Sequence, residues 1–433
     1  MWESLASSRR EDRVLHAAAK ALNVLLSLFA LPAWLIGQRL SSPLRRALAR
    51  VDPYREALPV PAPAERSMDA LMADLERIPS RVRPSRVAQL RKGVPDLTPF
   101  VLAQHHEGAN LGYAYPRQFT DHVFVGADGE RIAATIGLHT SPRPGLLVVH
   151  GLFSSRRFDY VREIAVRAFF DWGFNVAAVD LRSFGLTNMT SQAPTSIGWK
   201  EGEDLIAAGR YLKDLGATSV GALGISLGGS AVLGACHPEG ADEALDGGIL
   251  AISPPADTRA MAERLSRDVP ITHPAYPMRY GFKAMLTSRI REARWPLEVT
   301  SFVDPIELVF APHYEVEPDE LWRRSSAKNT IAGARVPVLV LHPTDDHLIP
   351  VEHARMLAEA ARDNDNVRVW ELAGGAHGAI DAVDKRWTYA VYRGFFERWA
   401  RYPERGEARG NGAPPPEVVY SPAHRGKVEP AKS

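Results

Sequence analysis

From about Phe119 onward the chain repeats one pattern, a short run rich in Val, Leu or Ala followed by a longer stretch with apolar residues at helical spacing. The runs are Leu146–Val149, Val176–Val179, Val220–Leu223, Ile249–Ile252, Val338–Leu341 and Val367–Glu371. A strand with one wet face alternates polar and apolar residues, whereas these lack that alternation. They read as strands of a parallel sheet covered on both faces. Tyr160–Trp172, with Val161, Ile164, Ala165 and Phe169 in step, and Glu201–Leu215, with Leu205, Ala208 and Leu212, supply covering helices, as do Val351–Arg362 and Trp387–Ala400. His122–Val125 and Ile132–Leu138, joined by Gly126-Ala127-Asp128-Gly129, add an antiparallel start, because Asp-Gly between two such runs signals a hairpin. Eight strands and right-handed crossovers follow: an α/β fold with a mostly parallel sheet and helices on both faces.

Three stretches stand outside this alternation. Residues 1–118 are rich in Arg, Ala and Leu and are cut by proline into short helical pieces; they read as an extension that wraps the main domain and carries no chemistry. Residues 255–334 are far longer than a crossover and hold Trp295, Phe302, Phe310, Tyr314 and Trp322, which predicts a lid or cap over a site. Residues 403–433 are rich in Pro, Gly and charge and predict a flexible tail after a main domain at 119–402. Within the extension, residues 21–37 (ALNVLLSLFALPAWLIG) are nearly all apolar, with basic residues on both sides. At the short end of what spans a bilayer, and interrupted by Asn23 and Pro32, the segment admits three readings: an anchor, an interfacial helix, or a helix packed on the domain. No small-residue cleavage site follows it, so a removed signal peptide is not expected. A cytoplasmic protein is expected, with membrane contact through 21–37 left open.

Charge narrows the partners. Lys plus Arg number 52 against 51 Asp plus Glu, so no global field draws in a polyanion, and no recognition motif points to nucleic acid. The one cysteine, Cys236, sits among Val232, Leu233 and Ala235 and reads as a buried structural thiol. His342, His347 and His353 lack a metal-ligand spacing, and neither a metal nor an organic cofactor is implied.

The chemistry concentrates in Gly224-Ile225-Ser226-Leu227-Gly228, with a strand leading in and a helix leading out. A serine on such a turn sits in strained backbone with its hydroxyl presented, and the flanking glycines let strand and helix pass closely. The hydroxyl needs a base, and the base an orienting acid. The loop after Val338–Leu341 offers Asp345 and Asp346, of which Asp346 is preferred as the acid. The loop after the last strand offers His377 among Ala373-Gly374-Gly375-Ala376 and Gly378. The order serine, acid, histidine completes a catalytic set of Ser226, Asp346 and His377. An oxyanion needs two amide donors. Leu227 is one, and Leu152 in His150-Gly151-Leu152-Phe153 is the expected second, with Phe153 in reserve. His150 is expected to brace its loop by hydrogen bonding.

Taken together, His150-Gly151, Asp180-Leu181-Arg182-Ser183-Phe184-Gly185, the Ser226 turn, Asp346 and His377 resemble the α/β-hydrolase family in order and context, over roughly His122 to Ala400. Thr195, Gly198-Trp199, Asp204 and Ser253-Pro254-Pro255 are similar to its YheT-like, embryogenesis-associated branch, whose members include esterases and some acyltransferases. Two departures are visible: Ser155 stands where HGxxG usually ends, so the oxyanion loop is expected to differ in shape, and Ser183 replaces a glycine. The resemblance implies a serine hydrolase that cleaves a small-molecule ester through an acyl-enzyme, with an apolar acyl or alcohol pocket. Acyl transfer by the same triad, and a non-catalytic binding or membrane-tethering protein that kept the fold, are the competing expectations. Oligomeric state is not legible.

Overall fold

The computed structural model describes residues 65–85, 114–267 and 301–402. The apolar segment 21–37, most of the N-terminal extension, residues 268–300 of the long insertion and the tail lie outside the described residues. Among those described, no helix is long and apolar enough to cross a membrane.

Among the described residues, eight strands form one sheet: β1 (Phe119–Val125), β2 (Arg131–Gly137), β3 (Arg143–Val149), β4 (Asn175–Val179), β5 (Ala217–Ile225), β6 (Ile249–Ile252), β7 (Val338–Pro343) and β8 (Val367–Leu372). Their spatial order is β1-β2-β4-β3-β5-β6-β7-β8. β1 pairs antiparallel with β2, and β2 antiparallel with β4, while every pairing from β4 to β8 is parallel. The expected hairpin is present, with Val125 opposite Arg131, and Asp128 and Gly129 both take positive φ at its turn.

The helices that cover the sheet are α2 (Asp159–Phe170), α3 (Trp199–Asp214), α4 (Leu227–Gly234), α7 (Glu352–Ala360) and α8 (Lys385–Trp399), with α1 (Met68–Glu76) added from the N-terminal extension. The two faces account for the unbroken apolar runs. Leu147 and Val149 point into one core with Leu205 and Leu212 of α3, Val232 of α4 and Leu357 of α7. Leu146 and Val148 point into the other with Val161 and Ile164 of α2, Val391 and Phe395 of α8, and Leu71 and Leu75 of α1. In the central strands β4, β6 and β7 every residue is therefore buried whichever way it faces, which is why no polar alternation survives there, whereas the edge strands β1 and β8 are only partly covered.

α1 begins at Ser67, whose hydroxyl accepts the Ala70 amide as an N-cap, and it docks on α8. Arg398, 3% exposed, binds both the Asp74 carboxylate and the Glu65 carbonyl. Of the insertion, the described parts form α5 (Thr258–Ser266), a wide π-type turn at Ile306–Phe310, and α6 (Pro318–Ser325). Tyr314 ties this region to the sheet: its hydroxyl donates to the Pro194 carbonyl and accepts from Arg182, which is paired at 2.7 Å with Asp204. Cys236 is fully buried, and burial pushes its thiol pKa up to about 12. That is the inert thiol expected.

Because β3 to β8 run parallel, their carboxyl ends share one edge of the sheet. The loops after β3, β5, β6, β7 and β8 gather there, the position where open α/β sheets place their sites.

Candidate active site

Ser226 lies between β5 and α4 with φ 58° and ψ −119°, a left-handed backbone that a serine adopts only when its surroundings impose it. Its amide donates to the Ile252 carbonyl at 2.9 Å, and its carbonyl accepts the Ser230 amide at 3.0 Å. The flanking glycines answer to close approach. A Cβ on Gly224 would lie 2.1 Å from the Gly228 carbonyl oxygen, and one on Gly228 would lie 2.5 Å from the His150 oxygen. Strand, helix and the β3 loop thus touch backbone to backbone, which no side chain allows.

The β3 loop comes close to the serine. A Cβ on Gly151 would stand 3.3 Å from Ser226 Cβ. His150 is fully buried; its Nδ1 donates to the Gly151 carbonyl at 2.7 Å and its Nε2 accepts the Leu181 amide at 3.0 Å, partners that assign the tautomer. This is the bracing role expected of it. The Gly151 amide is taken by the Tyr160 hydroxyl, which donates onward to Ser154. Neither the Leu152 nor the Leu227 amide has an acceptor among the described residues, and both residues line the cavity beside Ser226. Phe153, the reserve candidate, has φ 56°, and Ser183 has φ 66° where the family pattern would put glycine. The substitution leaves the left-handed turn in place.

The two adjacent aspartates have separate partners. Asp346, buried, accepts from His377 Nδ1 at 2.9 Å through one oxygen and from the Leu348 and Ile349 amides at 3.0 and 2.9 Å through the other. Burial would raise its carboxyl pKa. The His377 charge and hydrogen bond, with His342 and the Ile349 amide, outweigh that and hold it below the usual value. Asp345 instead accepts the Ala376 amide at 2.8 Å and the Ser85 amide at 3.1 Å.

His342, one of the histidines considered for metal, donates from Nε2 to the Ile349 carbonyl at 2.9 Å and so closes the acid loop. Its burial lowers its pKa and favours the neutral ring. His353 accepts the Ala256 and Asp257 amides at 3.1 and 3.3 Å. Among the described residues no group of His, Cys, Asp and Glu has the arrangement of a metal site.

The His377 loop reaches the nucleophile turn from the far side: a Cβ on Gly378 would meet Ile225 Cγ2 at 2.8 Å. Loops from β3, β5, β7 and β8 therefore bring Ser226, Leu152, Leu227, Asp346 and His377 to one end of the sheet. The sequence pattern singled out all five. It offered Asp345 only as the alternative acid, and it missed the amides that Asp345 accepts, Ala376 and Ser85, which belong to loops far away in sequence.

Above Ser226 opens a cleft of about 960 Å³, counting the solvent space at its mouth. Leu152, Phe153, Phe184 and Ile349 form its base, and Met261, Leu265, Phe302, Ile306 and Phe310 of the insertion form its walls. Among the described residues no charged side chain lines it. Its polar members other than Ser226 are engaged elsewhere: Ser183 accepts the Thr195 amide, Thr195 donates to Glu201, and Thr258 pairs with Ser325 and Ser326.

A family model described as "Alpha/beta hydrolase family" matches residues 146–388, more than half of the chain. Solved structures similar to the chain include an esterase of Pyrococcus furiosus, at 19% identity and TM-score 0.46, with 66% of this chain and 98% of that one aligned. A puromycin-hydrolyzing peptidase of Mycobacterium tuberculosis aligns at 18% identity and TM-score 0.42, over 64% of this chain and 38% of that one. Dipeptidyl peptidase 4 of Porphyromonas gingivalis aligns at 17% and 0.42, over 64% and 35%. No curated protein matches the chain.

Proposed function

The chain belongs to the alpha/beta hydrolase family, and from that premise we propose that it is a serine hydrolase that cleaves carboxylic esters with an apolar acyl or alcohol part. The observation that carries this reading is the strained Ser226 at the base of an apolar cleft, on the same sheet edge as a His377–Asp346 pair at 2.9 Å.

The steps follow from the groups. Ser226 Oγ attacks the ester carbonyl carbon while His377 takes its proton. Asp346 holds the ring by Nδ1 and stabilises the imidazolium. The carbonyl oxygen becomes an oxyanion that accepts from the Leu152 and Leu227 amides, with the N-terminus of α4 adding a favourable dipole. Collapse expels the alcohol, which receives the proton from His377, and leaves an acyl-serine. Water, deprotonated by His377, attacks the acyl carbon; the second tetrahedral species releases the acid and returns the proton to Ser226. The insertion serves as a cap that receives the apolar group.

The test is hydrolysis of p-nitrophenyl esters by the wild type and Ser226→Ala. Turnover should fall by roughly a thousandfold or more in the variant; activity that survives the change sinks the assignment. The same assay probes the cleft. A butyryl ester should be preferred over a hemisuccinyl ester of similar length by about a hundredfold or more, because the carboxylate would be buried without a partner. Added alcohol separates hydrolysis from acyl transfer: a new ester formed at the expense of free acid marks a transferase.

A further inference from the structure

His377 sits on a loop that does not hold its shape by itself. Gly375, Ala376 and Gly378 all have positive φ, at 131°, 47° and 59°. For Ala376 the left-handed region costs on the order of 1–2 kcal/mol, so neighbouring groups must impose the conformation. The amides on either side of the imidazole show what does. Ala376 N–H donates to Asp345 Oδ1 at 2.8 Å, and Gly378 N–H donates to Ser253 Oγ at 3.2 Å.

Both anchors are rigidly placed. Ser253 follows β6, is fully buried, and takes φ 49° itself. Asp345 extends from the end of β7, and its second oxygen accepts the Ser85 amide of the N-terminal extension at 3.1 Å. The extension also presses on the start of the same loop, where a Cβ on Gly374 would lie 2.1 Å from the Arg83 carbonyl carbon. Nearby, the Arg81 amide donates to Asp384 at 2.7 Å.

We propose that Asp345 and Ser253 are positioning residues that clamp the His377 loop by the amides at 376 and 378, and that the Ser85 amide makes the N-terminal extension part of this clamp. The proposal rests on the serine-hydrolase reading only for its effect on rate. The clamp sets where the imidazole stands relative to Ser226 and does not touch substrate. Losing an arm therefore lowers kcat while KM is retained. A shift on the order of 1 Å in a catalytic group costs up to about a hundredfold.

The experiment compares full-length wild type, Asp345→Ala, Asp345→Asn and Ser253→Ala. It measures p-nitrophenyl ester kinetics and hydrogen–deuterium exchange of a peptide spanning residues 373–379. The expected result for Asp345→Ala and Ser253→Ala is a kcat lower by about tenfold to a hundredfold with KM within about twofold. Exchange should become faster in that peptide while the β5 and β6 peptides stay protected. Asp345→Asn, which keeps an acceptor oxygen for Ala376, should recover much of the loss. Unchanged kcat in an enzyme that Ser226→Ala abolishes would overturn the clamp. So would faster exchange throughout the sheet, which marks a general loss of stability. If the wild type hydrolyses no ester, the functional reading fails separately, and the exchange data alone decide the clamp: unchanged protection of residues 373–379 in Asp345→Ala and Ser253→Ala rejects it.

Discussion

Asp345 and Asp346 are the same side chain at neighbouring positions, yet Asp346 accepts from an imidazole and from two amides of its own loop, while Asp345 accepts amides of two other segments. The sequence favours Asp346 as acid by its spacing, four residues after His342 at the strand end, within an ordered set. The structure adds the reason, since the turn after Pro343 aims one carboxylate inward and the other across the loops. Asp346→Asn should lower kcat by about a thousandfold or more with the fold retained, because an amide can hold the imidazole in the wrong tautomer; p-nitrophenyl ester kinetics with circular dichroism check both parts. A second residue-scale prediction concerns pH. Burial lowers the His353 pKa from 6.5 to about 4, with a further contribution from the charge of His342, and its Nδ1 is occupied as an acceptor. A depressed folded-state pKa gives stability that is full above the unfolded value near 6.5 and is lost as pH falls toward 4. The difference amounts to about 3 kcal/mol. His353→Asn, whose amide oxygen can accept in place of Nδ1, should flatten that part of the profile in urea melts at pH 4 to 7. An unaltered slope would rule His353 out as its source.

Every strand inferred from the apolar runs is present, and so are the helices between them, with ends displaced by a few residues. Strand ends blur because the ladder continues past the apolar run wherever a neighbour offers a partner: β5 starts at Ala217, ahead of the Val220–Leu223 run, through its contact with Arg143 of β3. The passage from β5 to α4 is the element on which the site depends. Gly228→Ala should destabilise the protein by about 2 kcal/mol or more, since the added methyl meets the backbone oxygens of Val149 and His150 at 2.6 and 2.5 Å and neither strand nor loop can yield. A midpoint in urea equal to that of the wild type would show that α4 can move away from β3.

At the scale of the molecule, α1 is separated from the sheet in sequence but shares its core. Leu71 and Leu75 are 0% and 1% exposed, and they pack with residues of β3, α2 and α8. Leu71→Ala should therefore cost about 2–4 kcal/mol and shift one cooperative unfolding transition of the whole unit. A separate early transition for the extension, seen by differential scanning calorimetry, would contradict this packing. The insertion is bound in similarly, through Tyr314, Arg182 and Asp204, so the apolar walls of the cleft are joined to the sheet that carries Ser226.

Local pattern determined the α/β class, the number of strands, the strand-turn-helix at Ser226 and the order of Ser226, Asp346 and His377, because periodicity, glycine spacing and chain order are properties of neighbours along the chain. Tertiary structure decided the rest. It set which aspartate meets the imidazole and which insertion residues wall the cleft. It also brought residues 83–85, read from sequence as a wrap without chemistry, against the histidine loop. Those outcomes depend on backbone groups hundreds of positions apart, such as the Ser85 amide and the Asp345 carboxylate. A main-chain N–H is the same at nearly every residue, so nothing in the sequence marks the one that will be used.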